Sequence, residues 1–199
     1  MQTSKSHNKT KMQSFRHAEA GFPTPVSHSE SRREAKESKR LLICTGVPFS
    51  EDEDKHMAEQ VRLYRGKKIV CGGTTSQILS REWNEELTVE LESMEAGLPP
   101  ISHLKGVDLV TEGVITLEAL TKILREAPQS ESRRQGAAWE IYGMIREAEE
   151  IDLLVGGRLN PAHRSLIGTG SLANREDLVE QMASILEKQH GKQIRIKRL

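Results

Sequence analysis

Short apolar runs that end on glycine and hand over to a helical pattern recur along most of this chain, and no other feature narrows its fold as much. Leu41-Leu42-Ile43-Cys44-Thr45 is closed by Gly46 and Pro48, and Lys67-Lys68-Ile69-Val70-Cys71 by Gly72-Gly73. Such runs read as buried strands ending in turns. Between them Ser50 precedes Glu51, Asp52, Glu53 and Asp54, acids that suit a helix N-terminus, and Met57, Val61 and Tyr64 follow at helical spacing until Gly66. Thr74 to Trp83 reads as a helix with Ile78 and Leu79 inward, Leu87 to Leu91 as an alternating strand, and Gly97, Pro99 and Pro100 as a loop.

The second half repeats the scheme. Val107 to Val110 reads as a strand, Thr116 to Arg125 as a helix, and Gln129 to Gly136 as a polar connection. Ala137 to Glu149 carries Ile141, Met144, Ile145 and Ala148 on one stripe and leads into strand Ile151 to Val155, closed by Gly156-Gly157. A loop follows from Leu159 to Leu172. Asn174 then caps a helix reaching Gln189, and Gly191 precedes a last strand, Ile194 to Lys197. Strands alternating with helices imply an α/β domain, a mainly parallel sheet flanked by helices, over residues 41–199.

Charge separates that body from what precedes it. The 199 residues carry 29 basic and 29 acidic side chains. Residues 1–40 hold nine of the former and four of the latter, with almost no Leu, Ile or Val, so they read as a disordered polar tail. The body is therefore slightly acidic, which argues against a basic nucleic-acid-binding surface, as does an aromatic content of 4%. No apolar run approaches a membrane span and no secretory signal is visible, which implies a cytoplasmic protein without a membrane partner. Cys44 and Cys71 form no CxxC or Cys/His cluster, so neither a disulfide framework nor a metal site is expected.

Three loops fall where an open α/β sheet places its ligands, after strand C-terminal ends. The first is Gly72-Gly73-Thr74-Thr75-Ser76: two glycines for close approach, the positive end of a new helix, and three hydroxyls. A phosphate or carboxylate suits it, although it is neither a Walker A loop nor a dinucleotide fingerprint. The second, Thr111-Glu112-Gly113, offers a carboxylate that could accept ligand hydroxyls, hold a cation or act as a base, with an exposed loop acid as the plain alternative. The third runs from Gly156 through Arg158, Asn160 and Pro161 to His163, where His163 is either a ligand or acid–base contact or an ordinary polar loop residue. Cys71, next to the first loop, reads as a buried inert thiol before a reactive one. No cofactor is named by these residues.

The same segments resemble the C-terminal region of bacterial phosphatases similar to stage II sporulation protein E, a branch of the metal-dependent serine/threonine phosphatases. The resemblance rests on residues 66–76 (GKKIVCGGTTS), 106–113 (GVDLVTEG) and 160–163 (NPAH), in that order and spacing, and extends from Leu41 onward. Two stretches depart from it: Gly46-Val47-Pro48 replaces a Gly-Pro-Pro junction, and Arg164-Ser165-Leu166-Ile167-Gly168 replaces an Asn- and Pro-containing loop. In that family a catalytic domain with metal-binding aspartates precedes this region. The present sequence contains no Asp-Gly pair of that centre, so phosphatase activity is not carried over. The position of this region behind a catalytic domain in that family implies a non-catalytic, regulatory module with a phosphatase catalytic domain as a further partner, and the three loops add a small anionic metabolite as its ligand. A small enzyme acting on a phosphorylated or carboxylated metabolite, and a truncated phosphatase, stay open as alternatives.

Overall fold

A computed structural model describes residues 39–90, 101–126, 136–158 and 175–199; residues 1–38 of the expected 1–40 polar tail lie outside these, and its last residue, Arg40, opens the first strand. The described strands are β1 (Arg40–Thr45), β2 (Lys67–Cys71), β3 (Leu87–Glu90), β4 (Ile101–Leu104), β5 (Leu109–Thr111), β6 (Glu150–Val155) and β7 (Gln193–Arg198). The helices are α1 (Asp54–Leu63), α2 (Gly73–Trp83), α3 (Val114–Glu126), α4 (Ala137–Glu147) and α5 (Arg175–His190). They build one seven-stranded sheet in the order β3-β4-β5-β2-β1-β6-β7. Five of its strands, β5, β2, β1, β6 and β7, run parallel, and β4 pairs antiparallel with both β3 and β5. The α/β architecture with a mainly parallel sheet is thus as the alternating pattern implies.

Strand alternation decides which helix lies where. Leu41, Ile43, Ile69, Ile151, Leu153 and Val155 face a core shared with α3, α4 and α5, whereas Leu42, Cys44, Val70 and Leu154 face α1 and α2. Because central parallel strands are covered on both faces, they are continuous apolar runs rather than alternating ones. Two polar contacts join the helices of the smaller layer. The Asp54 carboxylate, almost wholly buried at the start of α1, accepts from Arg81 Nη2 of α2 at 2.7 Å, and Trp83 Nε1 donates to the Ala58 carbonyl at 3.1 Å. The Ser50 cap is present: its hydroxyl accepts from Asp52 N at 3.2 Å, and Glu53 accepts from Ser50 N, but residues 51–53 form a 3-10 turn before α1 begins.

Two expectations are corrected. Strand β4 is absent from the sequence reading, because Ile101-Ser102-His103-Leu104 is too short to show a period and follows a Pro-Pro pair. The strand placed at residues 107–110 is shifted: Asp108 lies before β5 and ties its start to β2, its backbone N donating to the Lys68 carbonyl at 2.9 Å and its carboxylate accepting from Lys68 N at 2.7 Å. That local tie makes Asp108 structural. Among the described residues no helix is long and apolar enough to cross a membrane.

Candidate functional site

The chain leaves β1 by α1 toward β2, and leaves β5 by α3 and α4 toward β6, so the connections diverge on either side of β1. Such a reversal opens a crevice at strand C-terminal ends, which is where open α/β sheets take ligands. The rim of this crevice is formed in sheet order by Thr111-Glu112-Gly113, Gly72-Gly73, Gly46-Val47 and Gly156-Gly157-Arg158.

The first two sequence-derived loops are brought together. Gly72 N donates to the Thr111 carbonyl at 2.7 Å, which holds the end of β2 beside the end of β5. A Cβ built on Gly73 would meet Glu112 Oε1 at 3.4 Å, so the Glu112 carboxylate stands directly over the first residue of α2. No side chain caps α2, and its first donor with a helical partner is Ser76 N, bonded to the Gly72 carbonyl at 2.9 Å. The start of α2 therefore presents backbone donors and the positive end of the helix to the crevice, with an exposed carboxylate alongside.

The hydroxyls do not act as the sequence suggests. Thr75 is 1% exposed and its Oγ1 donates to the Gly46 carbonyl at 3.0 Å, while Ser76 Oγ donates to the Gly73 carbonyl at 2.8 Å. Thr75 thus fastens α2 to the end of β1, and Ser76 is consumed within the first turn of α2. Thr74 alone of the three is exposed. Of the two glycines it is Gly72 that takes a positive φ, 139°, and Gly73 is already helical. At Gly72 a side chain would be strained by the backbone and would press on Thr75 Oγ1 at 3.0 Å.

Of the third loop, Asn160 and His163 lie outside the described residues, and Asn174 with them. Gly156 and Gly157 are placed at the end of β6 against the β1 loop. Arg158 N donates to the Val47 carbonyl at 3.0 Å, and a Cβ on Gly156 would lie 2.3 Å from the Val47 backbone, so only glycine fits there.

Arg175, the first residue of α5, is a member of this rim that sequence reasoning missed. Its Nη1 donates to the Gly156 carbonyl at 3.1 Å, and its guanidinium packs where a Gly46 side chain would go. Desolvation lowers its pKa from the ordinary guanidinium value, against the attraction of Glu176, yet an arginine keeps its charge in such a site. Arginine 129 positions beyond Gly46 carries no sequence signal of this contact. The thiols behave as read: both are buried, and desolvation pushes Cys44 up to about 12 and Cys71 higher, so neither is a nucleophile at neutral pH. Among the described residues no cluster of three His, Cys, Asp or Glu side chains could hold a metal ion. No protein-family model matches this chain, and no curated protein is significantly similar to it.

Proposed function

We propose that this chain is a non-catalytic regulatory module, akin to the C-terminal region of the sporulation-type phosphatases, that binds a small anionic metabolite carrying hydroxyl groups at the crevice rim. The observation that carries the reading is the juxtaposition of the uncapped α2 N-terminus with the Glu112 carboxylate. Backbone donors of Gly73, Thr74 and Thr75 take the anionic group, while Glu112 accepts from hydroxyls one or two bonds away and disfavours a bare, highly charged anion. Arg175 adds a fixed positive charge on the β6 side of the same rim.

Titration calorimetry with ribose 5-phosphate, ribose and inorganic phosphate tests this. Ribose 5-phosphate is expected to bind, ribose not, and inorganic phosphate more weakly than the sugar phosphate. Glu112→Ala should erase the preference for the sugar phosphate over phosphate. Retention of that preference by Glu112→Ala, or equal binding of ribose itself, would overturn the assignment. Manganese-dependent hydrolysis of a phosphoserine peptide by the purified chain would overturn the non-catalytic part.

A further inference from the structure

Arg175 is anchored at the crevice rim with much of its hydrogen-bonding capacity unused. Its guanidinium lies over the end of β1, in the space a Gly46 side chain would take, and Nη1 donates to the Gly156 carbonyl at 3.1 Å and more weakly to the Arg158 carbonyl at 3.5 Å. Both acceptors belong to the segment that follows β6, so backbone rather than a carboxylate fixes the group in place. Among the described residues no carboxylate forms a salt bridge with it, and Glu176, next in the chain, attracts it from a distance. Arg40, Arg81, Arg195 and Arg198, by contrast, each pair with an acid. Nε and Nη2 of Arg175 donate to none of the described residues, and neither is one of the buried donors that lack a partner, so both open to solvent.

The edge formed by Nε and Nη2 is a side of the guanidinium that matches two oxygens of a carboxylate or phosphate, and a group already held in orientation loses little freedom in gripping them. Partial desolvation of the charge strengthens its attraction for an arriving anion. Its place in the rim is equally specific. The same Gly46 whose side-chain space the guanidinium fills gives its carbonyl to Thr75 Oγ1, in the first turn of α2, at 3.0 Å. Arg175 and the start of α2 therefore flank a single residue, within about 10 Å of each other, roughly the reach of three extended residues. Sheet order puts Glu112, after β5, on the other side of the α2 start from Arg175, which sits on the ends of β1 and β6.

We propose, resting on the anion-binding reading of the α2 start, that the ligand of this rim carries two anionic groups, one received by α2 and the second gripped by Nε and Nη2 of Arg175, as in a sugar bisphosphate. Fructose 6-phosphate and fructose 1,6-bisphosphate are the probes, titrated into the full chain by calorimetry. The bisphosphate should bind roughly tenfold more tightly or better. Arg175→Lys, which keeps a charge but not the fork, should reduce that preference severalfold, and Arg175→Gln should abolish it, while both variants bind fructose 6-phosphate nearly as the parent does. In the parent protein the Arg175 Nε–H resonance should shift saturably with the bisphosphate and stay in place with the monophosphate, a readout that needs no variant to fold. A preference that survives in both variants, an unmoved Nε–H resonance, or a loss of affinity for both sugars alike, which would mean that Arg175 only fastens α5, would overturn the proposal. Equal affinity of the two sugars in the parent would remove the second anionic group and leave the α2 site standing. Absence of binding by either sugar, or bisphosphate binding untouched by Gly73→Val, would overturn both.

Discussion

The two faces of strand β6 differ by one residue of register and, up to the buried Leu154, in their chemistry. Ile151, Leu153 and Val155 are sealed beneath α3, α4 and α5, whereas Asp152, on the opposite face between Leu42 of β1 and Arg195 of β7, is held in a network of Arg40, Tyr64 and Arg195 beside an open groove. The sealed face supplies cohesion and the open one supplies charged, addressable surface. A doubly wound sheet with three helices on one side and two on the other has room for both.

The largest expected effect lies on the sealed face. Leu153→Ala removes a side chain 1% exposed and should cost about 2–5 kcal/mol in urea unfolding, since the surrounding helices cannot close the space completely. A loss below about 1 kcal/mol would mean the face is looser than its burial implies. Next comes the turn into α2: Gly72→Ala, at φ of 139°, should cost about 1–3 kcal/mol, whereas Gly73→Ala, already helical, should be near neutral or mildly stabilising. Equal costs at the two positions would misplace the turn.

On the open face the effect is smaller and depends on pH. Burial pushes the Asp152 carboxyl up, but hydrogen bonds from Arg195, Tyr64 and Arg40 and the attraction of Arg195 outweigh it, leaving its pKa below the ordinary value. A carboxylate depressed in the folded state contributes stability above its unfolded pKa, near 4, and loses it as pH falls through the folded value. Asp152→Asn should therefore destabilise at pH 7 and approach the parent as the pH drops below about 4. A destabilisation constant with pH would assign Asp152 a packing role only. Smallest in energy is the behaviour of the thiols: Cys44 and Cys71 should be inert to a thiol reagent in the native state and both react in urea.

The central parallel strands were legible in the sequence because two-sided burial makes them apolar runs closed by glycine, as at Leu41–Thr45 and Ile69–Cys71. Strand β4 was not, since four residues at the edge of the parallel set carry no usable period. In the candidate site, Gly72, Gly73 and Glu112 could be read because strand ends and helix starts are local features. The fate of the hydroxyls could not: whether Thr75 faces a ligand or the Gly46 carbonyl depends on where β1 ends, 29 residues away in the chain. Arg175 is hidden for the same reason, as its contacts join α5 to the ends of β1 and β6.

The central claim is that the start of α2 receives an anion, and the backbone amides there report on it directly. Amide chemical shifts followed by nuclear magnetic resonance during titration with ribose 5-phosphate should move saturably at Gly73, Thr74 and Thr75, and Gly73→Val, whose added methyls enter the space beside Glu112, should abolish the movement in a folded protein. Shifts confined to other parts of the chain, or an unchanged response in Gly73→Val, would contradict the account.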